Sequence, residues 1–146
     1  MQNNFFDCII IGGGAAGMIA AVTAADNGKS VLLIEKGEKC GRKLAITGKG
    51  RCNVTNNCTD EDFFANIPVN SRFLYSAYSR FNCQDCMDFF EACGVPLKTE
   101  RGNRVFPVSD NAHDIVHALE KACRDRGVQI HKGEKVKNIL VDDGVV

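Results

Sequence analysis

The chain is expected to fold as an α/β domain around a mostly parallel sheet, and three features of its first 35 residues carry that expectation. Residues 6–11 (FDCIII) are a short, mostly apolar run. GGGAAG follows at 12–17 without a break and opens a helical run of small residues. A second apolar run, VLLI at 31–34, ends on Glu35. Apolar run, glycine turn, helix and apolar run are the parts of a parallel βαβ crossover, whose buried strands read as continuous hydrophobic stretches.

Within that context G-x-G-x-x-G has a physical reading. Gly12 allows a tight turn, Gly14 lets the backbone approach a pyrophosphate, and Gly17 lets the helix pack close to the strand. The helix N-terminus offers free N–H groups and positive dipole charge to an anion. Glu35, at the end of the next strand, is placed to accept hydrogen bonds from ribose hydroxyls. A dinucleotide-binding crevice is the expectation. The alternative is the same crossover with nothing bound.

The first helix should span residues 14–25, with Asn27-Gly28 as its stop. Residues 36–58 read as a glycine-rich loop. Thr59 is placed to cap a short helix containing Phe63 and Phe64, and a further helical pattern covers 71–81. Asn82 should cap a helix over 83–93, stopped by Gly94. Runs 97–100 and 104–106 flank Arg101-Gly102-Asn103 and read as an added β-hairpin. Ser109 or Asp110 should cap a last helix over 111–126. Its apolar stripe is Ile115, Val116, Leu119, Ala122 and Cys123. Residues 128–131 read as a strand. The alternation over 135–141 reads as another, followed by a turn at 142–144 and the start of a strand at 145–146. A two-residue strand cannot complete a hairpin, so the domain is expected to be incomplete.

Bulk properties narrow the function classes. The 146 residues suit one domain, and 45% apolar content allows a real core. Zero formal net charge argues against a general nucleic-acid or membrane-surface binder. No stretch is long and apolar enough to span a bilayer, and no basic region precedes the first apolar run as in a signal peptide. The eight cysteines are therefore expected to be reduced thiols in a cytoplasmic protein. C-x-x-C at 83–86 has the spacing of redox and zinc sites, yet no second pair or nearby histidine completes a ligand set. His113 and His117 imitate a zincin helix but fall on its polar side, so no metal site is expected.

Residues 41–53 (GRKLAITGKGRCN) form a second motif. Six basic residues and one acid lie between Lys36 and Arg51. Directly after the ribose-binding acid, such a loop reads as anion-facing; a solvated basic loop is the other reading. Together, GGGAAGMIAA, Glu35-Lys36, GRKLAITGKGRCNVTN and RGNRVFPVSD resemble the BaiN-like, or YhiN-like, flavoproteins, related to aminoacetone oxidase. The resemblance covers essentially all of the chain. It implies a Rossmann-like FAD-binding domain of glutathione-reductase type, FAD as cofactor, and NAD(P)H as a candidate electron donor. It further implies that residues 1–146 are the N-terminal part of that domain, with the insertion domain and the C-terminal part absent.

By the same resemblance, Gly12, Gly14, Ala16 and Gly17 line the pyrophosphate, and Glu35 holds the adenosine ribose with Lys36 beside it. Arg42, Lys43, Thr47 and Gly48 approach the phosphates or ribityl chain. Arg51, Cys52 and Asn53 lie toward the isoalloxazine, and Val136 offers backbone groups to adenine. The implied activity is two-electron transfer through FAD to a small molecule that the sequence does not name. The alternatives are an NAD(P)-binding oxidoreductase domain, or a noncatalytic nucleotide-binding or interaction module.

Overall fold

A computed structural model describes residues 5–141. In chain order the elements are β1 (Cys8–Ile11), α1 (Ala15–Asp26), β2 (Val31–Glu35), α2 (Arg42–Ile46), β3 (Thr55–Asn56), α3 (Asp60–Ala65), α4 (Tyr75–Tyr78), α5 (Cys83–Ala92), β4 (Leu97–Glu100), β5 (Arg104–Pro107), α6 (Ala112–Asp125) and β6 (Gln129–Lys132). Short 3-10 turns occupy Thr47–Gly50 and Ser71–Leu74. The chain divides into two compact units: residues up to Leu44 together with those from Leu119 on, and Ala45–Ala118.

The first unit is the expected crossover. Its sheet has the order β1-β2-β6, all parallel, with Ile10 opposite Leu33 and Leu33 opposite Ile130. Asp7 and Ser30 tie the starts of β1 and β2 together, the Asp7 carboxylate accepting from the Ser30 amide at 2.7 Å. Alanines and Gly17 let α1 lie close against β1 and β2, burying Met18, Ala21 and Val22. The Cys123 thiol donates to the Met18 carbonyl at 3.5 Å, which sets the end of α6 against α1. Met18, Leu33, Leu119 and Cys123 are at most 1% exposed and form the centre of this core.

The second unit holds an antiparallel sheet of order β3-β5-β4, so the expected hairpin β4–β5 gains a third strand. Asn82 caps α5 as expected, and with Asp85 it forms a reciprocal capping box. Thr59 caps α3 by accepting from the Asp62 amide at 3.1 Å. Phe63 stacks on Tyr78 at 4.2 Å between centroids, and the Tyr78 hydroxyl donates to Asp60.

Four expectations need correction. Residues 36–58 are not all loop: they contain α2, a 3-10 turn and β3. The 71–81 segment is a 3-10 turn running into the four-residue α4. Asn111 caps α6, its Oδ1 accepting from the His113 amide at 3.0 Å; Ser109 stands one step outside, its hydroxyl accepting from the Asn111 amide at 3.3 Å and donating to the Asp114 carboxylate at 2.6 Å. Residues 135–141 form no strand; a strand needs a neighbour to take its hydrogen bonds, and none pairs with them among the described residues. The turn at 142–144 and the strand start at 145–146 lie outside the described residues.

Candidate functional site

The glycine turn sits at the carboxyl ends of β1 and β2, where open α/β sheets bind their ligands. Each glycine is there for a different physical reason. Gly12 has φ +108°, a conformation that side chains resist. A Cβ on Gly17 would stand 1.9 Å from the Gly12 carbonyl oxygen, so only glycine lets α1 start this close to the turn. Gly14 differs: it precedes α1 with φ −85° and ψ −173°, an ordinary extended conformation, and a Cβ there would meet nothing within 4 Å. Neither backbone nor packing requires glycine at 14. The space over residue 14 is open, wide enough for a ligand to lie against the backbone. Gly14, Ala15 and Ala16 are exposed, leaving the α1 N-terminus open to an anion.

Glu35 faces the turn. Its Oε2 accepts from the Gly13 amide and its Oε1 from the Gly37 amide, both at 2.8 Å. The Gly37 hydrogen bond is the main influence holding its carboxyl below the usual range. Partial burial opposes it, and the Gly13 hydrogen bond, Lys36 and Arg42 assist. Each oxygen keeps a lone pair for a ribose hydroxyl. Arg42 lies near this corner, its Cδ 3.5 Å from where a Cβ on Gly37 would be. Arg42, Lys43 and Lys36 are exposed. The first unit therefore gathers Gly12, Gly14, Ala16, Gly17, Glu35, Lys36, Arg42 and Lys43.

Val136 belongs to the same unit. With Glu134 to Leu140 and the β-strand side chains Ile9, Ile11 and Ile34 it lines a cavity of about 510 Å³. Ile9 and Ile11 are 45% and 56% exposed, so this face of β1 is apolar and only partly covered.

The rest of the second motif lies in the second unit. Gly48, Lys49, Gly50 and Cys52 all have positive φ, from 55° to 84°. Gly48 packs beneath Phe106, whose Cε1 would be 3.0 Å from a Cβ at that position. The Arg51 guanidinium stacks on the same ring at 4.1 Å and is bonded to Glu100 and to Asp110, the latter at 2.8 Å. Its charge is thus committed to two carboxylates. Cys52 is 1% exposed, and burial raises its thiol above the ordinary range. The Asn53 amide nitrogen, oriented to suit its neighbours, donates to the Thr55 carbonyl at 3.0 Å. Thr47 and Asn53 are exposed.

Sequence reasoning missed Gly13, Cys40, Glu100, Asp110 and Phe106. Gly13 was visible as a third consecutive glycine. The others become partners only through tertiary packing. All eight cysteines are free. Among the described residues no group of three or more His, Cys, Asp or Glu side chains could hold a metal ion, and His113 and His117 are exposed. No helix among the described residues is long and apolar enough to cross a membrane.

A glycine turn that opens a helix, beside a carboxylate at the end of the neighbouring parallel strand, defines a dinucleotide-binding domain of Rossmann type. The model of the HI0933-like protein Rossmann domain matches residues 6–146, and the chain belongs to that family of FAD-dependent oxidoreductases. It supplies the FAD-binding portion of such a protein.

Among curated relatives, it is 35% identical over 130 residues to a 3-dehydro-bile acid delta(4,6)-reductase of Clostridium scindens, covering 88% of this chain and 31% of that protein. It is 36% identical over 138 residues to the ribosomal RNA dihydrouridine synthase of Escherichia coli K12, covering 94% and 34%. The chain thus spans about a third of the length of these relatives. Among solved structures, its fold is similar to the 3-ketosteroid-delta4-(5alpha)-dehydrogenase of Rhodococcus jostii RHA1, with TM-score 0.70, 16% identity, and 94% and 40% of the two chains covered. It is likewise similar to FrdA of the Escherichia coli quinol fumarate reductase, with TM-score 0.68, 21% identity, and 99% and 28% covered.

Proposed function

We propose that the 12–17 turn seats the FAD pyrophosphate, that Glu35 holds the adenosine ribose, and that the whole protein reduces a ring carbon–carbon double bond conjugated to a carbonyl. The observation that carries the cofactor seat is Gly14. No protein atom lies within 4 Å of where its Cβ would be, which leaves the space over it open to a ligand. Bound FAD supplies two-electron transfer, with NAD(P)H as the donor.

The chain's own residues bind and orient. The turn and the α1 N-terminus offer N–H groups to the phosphates, and Glu35, ionised at neutral pH, accepts from the sugar. Arg42, Lys43 and Lys36 add positive charge on the phosphate side, while Thr47 and Gly48 serve the phosphates or ribityl chain. Arg51, Cys52 and Asn53 are the residues assigned to the flavin ring, and the Val136 backbone to adenine. The fixed pairing of Arg51 with Glu100 and Asp110 suits a rigid wall better than a mobile anion clamp.

The reaction class comes from the relatives. One is named for reducing the 4,6 double bonds of a 3-dehydro bile acid, the other for making dihydrouridine in ribosomal RNA. Both names describe hydrogen added across a ring double bond conjugated to a carbonyl. The bile-acid reductase supplies the substrate class proposed here, a small cyclic enone. Eight unpaired thiols support a reducing compartment, the cytoplasm.

Purification with identification of the released flavin tests the seat, and anaerobic NAD(P)H turnover with a steroid enone or with unmodified ribosomal RNA tests the substrate. FAD release and enone reduction are expected. Activity on RNA alone overturns the small-molecule reading, and absence of flavin binding overturns the whole proposal.

A further inference from the structure

Gly13 is gripped on three sides by one short segment. Its amide donates to Glu35 Oε2, and its carbonyl accepts from the Gly41 amide, both at 2.8 Å. A Cβ on Gly13 would lie 2.6 Å from Cys40 Sγ, 3.1 Å from Glu35 Cβ and 3.3 Å from Cys40 Cβ. Gly13 does not have a positive φ, so its backbone conformation is open to other residues. The closest obstacle to a side chain there is the Cys40 sulfur.

Cys40 is itself fixed. It is 3% exposed, and its thiol is pushed up to about 11, chiefly by burial and then by the Glu120 carboxylate. It stays protonated beside the Glu120 carboxylate. Glu120 accepts from Lys132 Nζ at 2.7 Å and from Arg124 Nη1 at 3.0 Å. A chain of contacts within the first unit thus runs from β6 and α6 through Glu120 and Cys40 to the middle of the glycine turn.

We propose that Cys40 is a positioning residue for the cofactor: its sulfur sets the height of Gly13, and so where the amides of the turn meet the pyrophosphate. This rests on the FAD seat proposed above. Cys40 touches no reacting atom. Its volume and that of residue 13 are complementary, and FAD affinity depends on the pair, not on either residue alone. Because the thiol is buried and protonated, this role is steric and does not involve thiolate chemistry.

A double-mutant cycle on the purified protein tests this, with FAD and ADP affinities and the melting temperature of the unliganded protein as readouts. Gly13→Ala is expected to weaken FAD and ADP alike, by about tenfold, as overpacking lifts the turn. Cys40→Ala removes the sulfur, and Gly13→Ala on that background should recover at least about threefold of the loss, a coupling typical of residues in contact. Cys40→Ser, close in size, should keep affinity within about twofold of wild type. If Gly13→Ala alone fails to fold, folding and FAD binding regained by the double variant support the same pairing. An equal loss of affinity with and without the sulfur overturns the proposal, as does wild-type affinity in Gly13→Ala. A wild-type protein that binds no FAD instead overturns the flavin seat itself, so the two failures are distinct.

Discussion

Gly14 and Gly17 are three residues apart, yet alanine at each should fail in a different way. At Gly17 the new Cβ would stand 1.9 Å from the Gly12 carbonyl oxygen, where ordinary contact starts near 3.4 Å. Helix α1 must withdraw from the turn, and both groups are held by backbone, so neither yields cheaply. Overpacking of this kind costs about 1–3 kcal/mol. Alanine's better helix propensity returns about 0.8–1 kcal/mol at most, so the clash decides the sign. In a chain of this size each kcal/mol lowers the melting temperature by roughly 2–4 °C. Gly17→Ala should therefore melt several degrees lower without any ligand.

Gly14→Ala meets no protein atom within 4 Å and keeps an allowed backbone. A poorer N-cap and a stiffer unfolded chain offset each other to within about 1 kcal/mol. The unliganded protein should melt within about 4 °C of wild type, while FAD binds at least about tenfold more weakly, a loss of about 1.4 kcal/mol. Scanning calorimetry and quenching of flavin fluorescence on titration separate the two effects. Wild-type FAD affinity in Gly14→Ala would refute the reasoning, because the open space over residue 14 would then not be the pyrophosphate seat.

Further outcomes follow from the same geometry. The Glu35 carboxyl is held low by the Gly37 and Gly13 amides, so its contribution to stability is full above the ordinary carboxylate range and fades as pH falls through its lowered value. Glu35→Gln should cost about 1 kcal/mol at pH 7, and pH-dependent urea unfolding should show the two proteins converging in acid. Arg51→Ala should lower the melting temperature modestly at low salt and less at high salt, since its bonds to Glu100 and Asp110 are partly exposed. Arg51→Lys should not restore it, because a lysine cannot make two bonds while stacking on Phe106. Titration with an aromatic disulfide reagent at pH 8 should find Cys40, Cys52, Cys83 and Cys123 unreactive in the folded protein and eight thiols after unfolding. Fast reaction at Cys40 would contradict its burial.

What the sequence made legible was local. The cap at Asn82, the cap at Thr59 and the hairpin around Gly102 each depend on residues a few positions apart, the crossover from β1 to β2 on one continuous stretch, and each is present. Residues 36–58 read as loop because their glycines signal turns. The positive φ of Lys49 and Cys52 depends on what this segment packs against, including Phe106 under Gly48, more than 50 residues away. No local pattern encodes that. Alternation over 135–141 satisfied the strand rule, but alternation describes one side of a pairing, and the partner is not among the described residues.

The glycine turn shows the same division inside six residues. The motif assigns a tight turn to Gly12, close approach of a ligand to Gly14 and helix packing to Gly17. The φ of Gly12 and the Gly12 oxygen beside Gly17 match the first and third of these, and the space over Gly14 is open. For Gly13 the motif allows any residue, yet this chain has glycine there, and the reason is a sulfur 27 positions later. A motif records what the ligand and the turn demand of any sequence. The remaining constraint comes from this chain's own packing, so a variant at position 13 must be judged together with Cys40. The motif alone would wrongly pass Gly13→Ala as neutral.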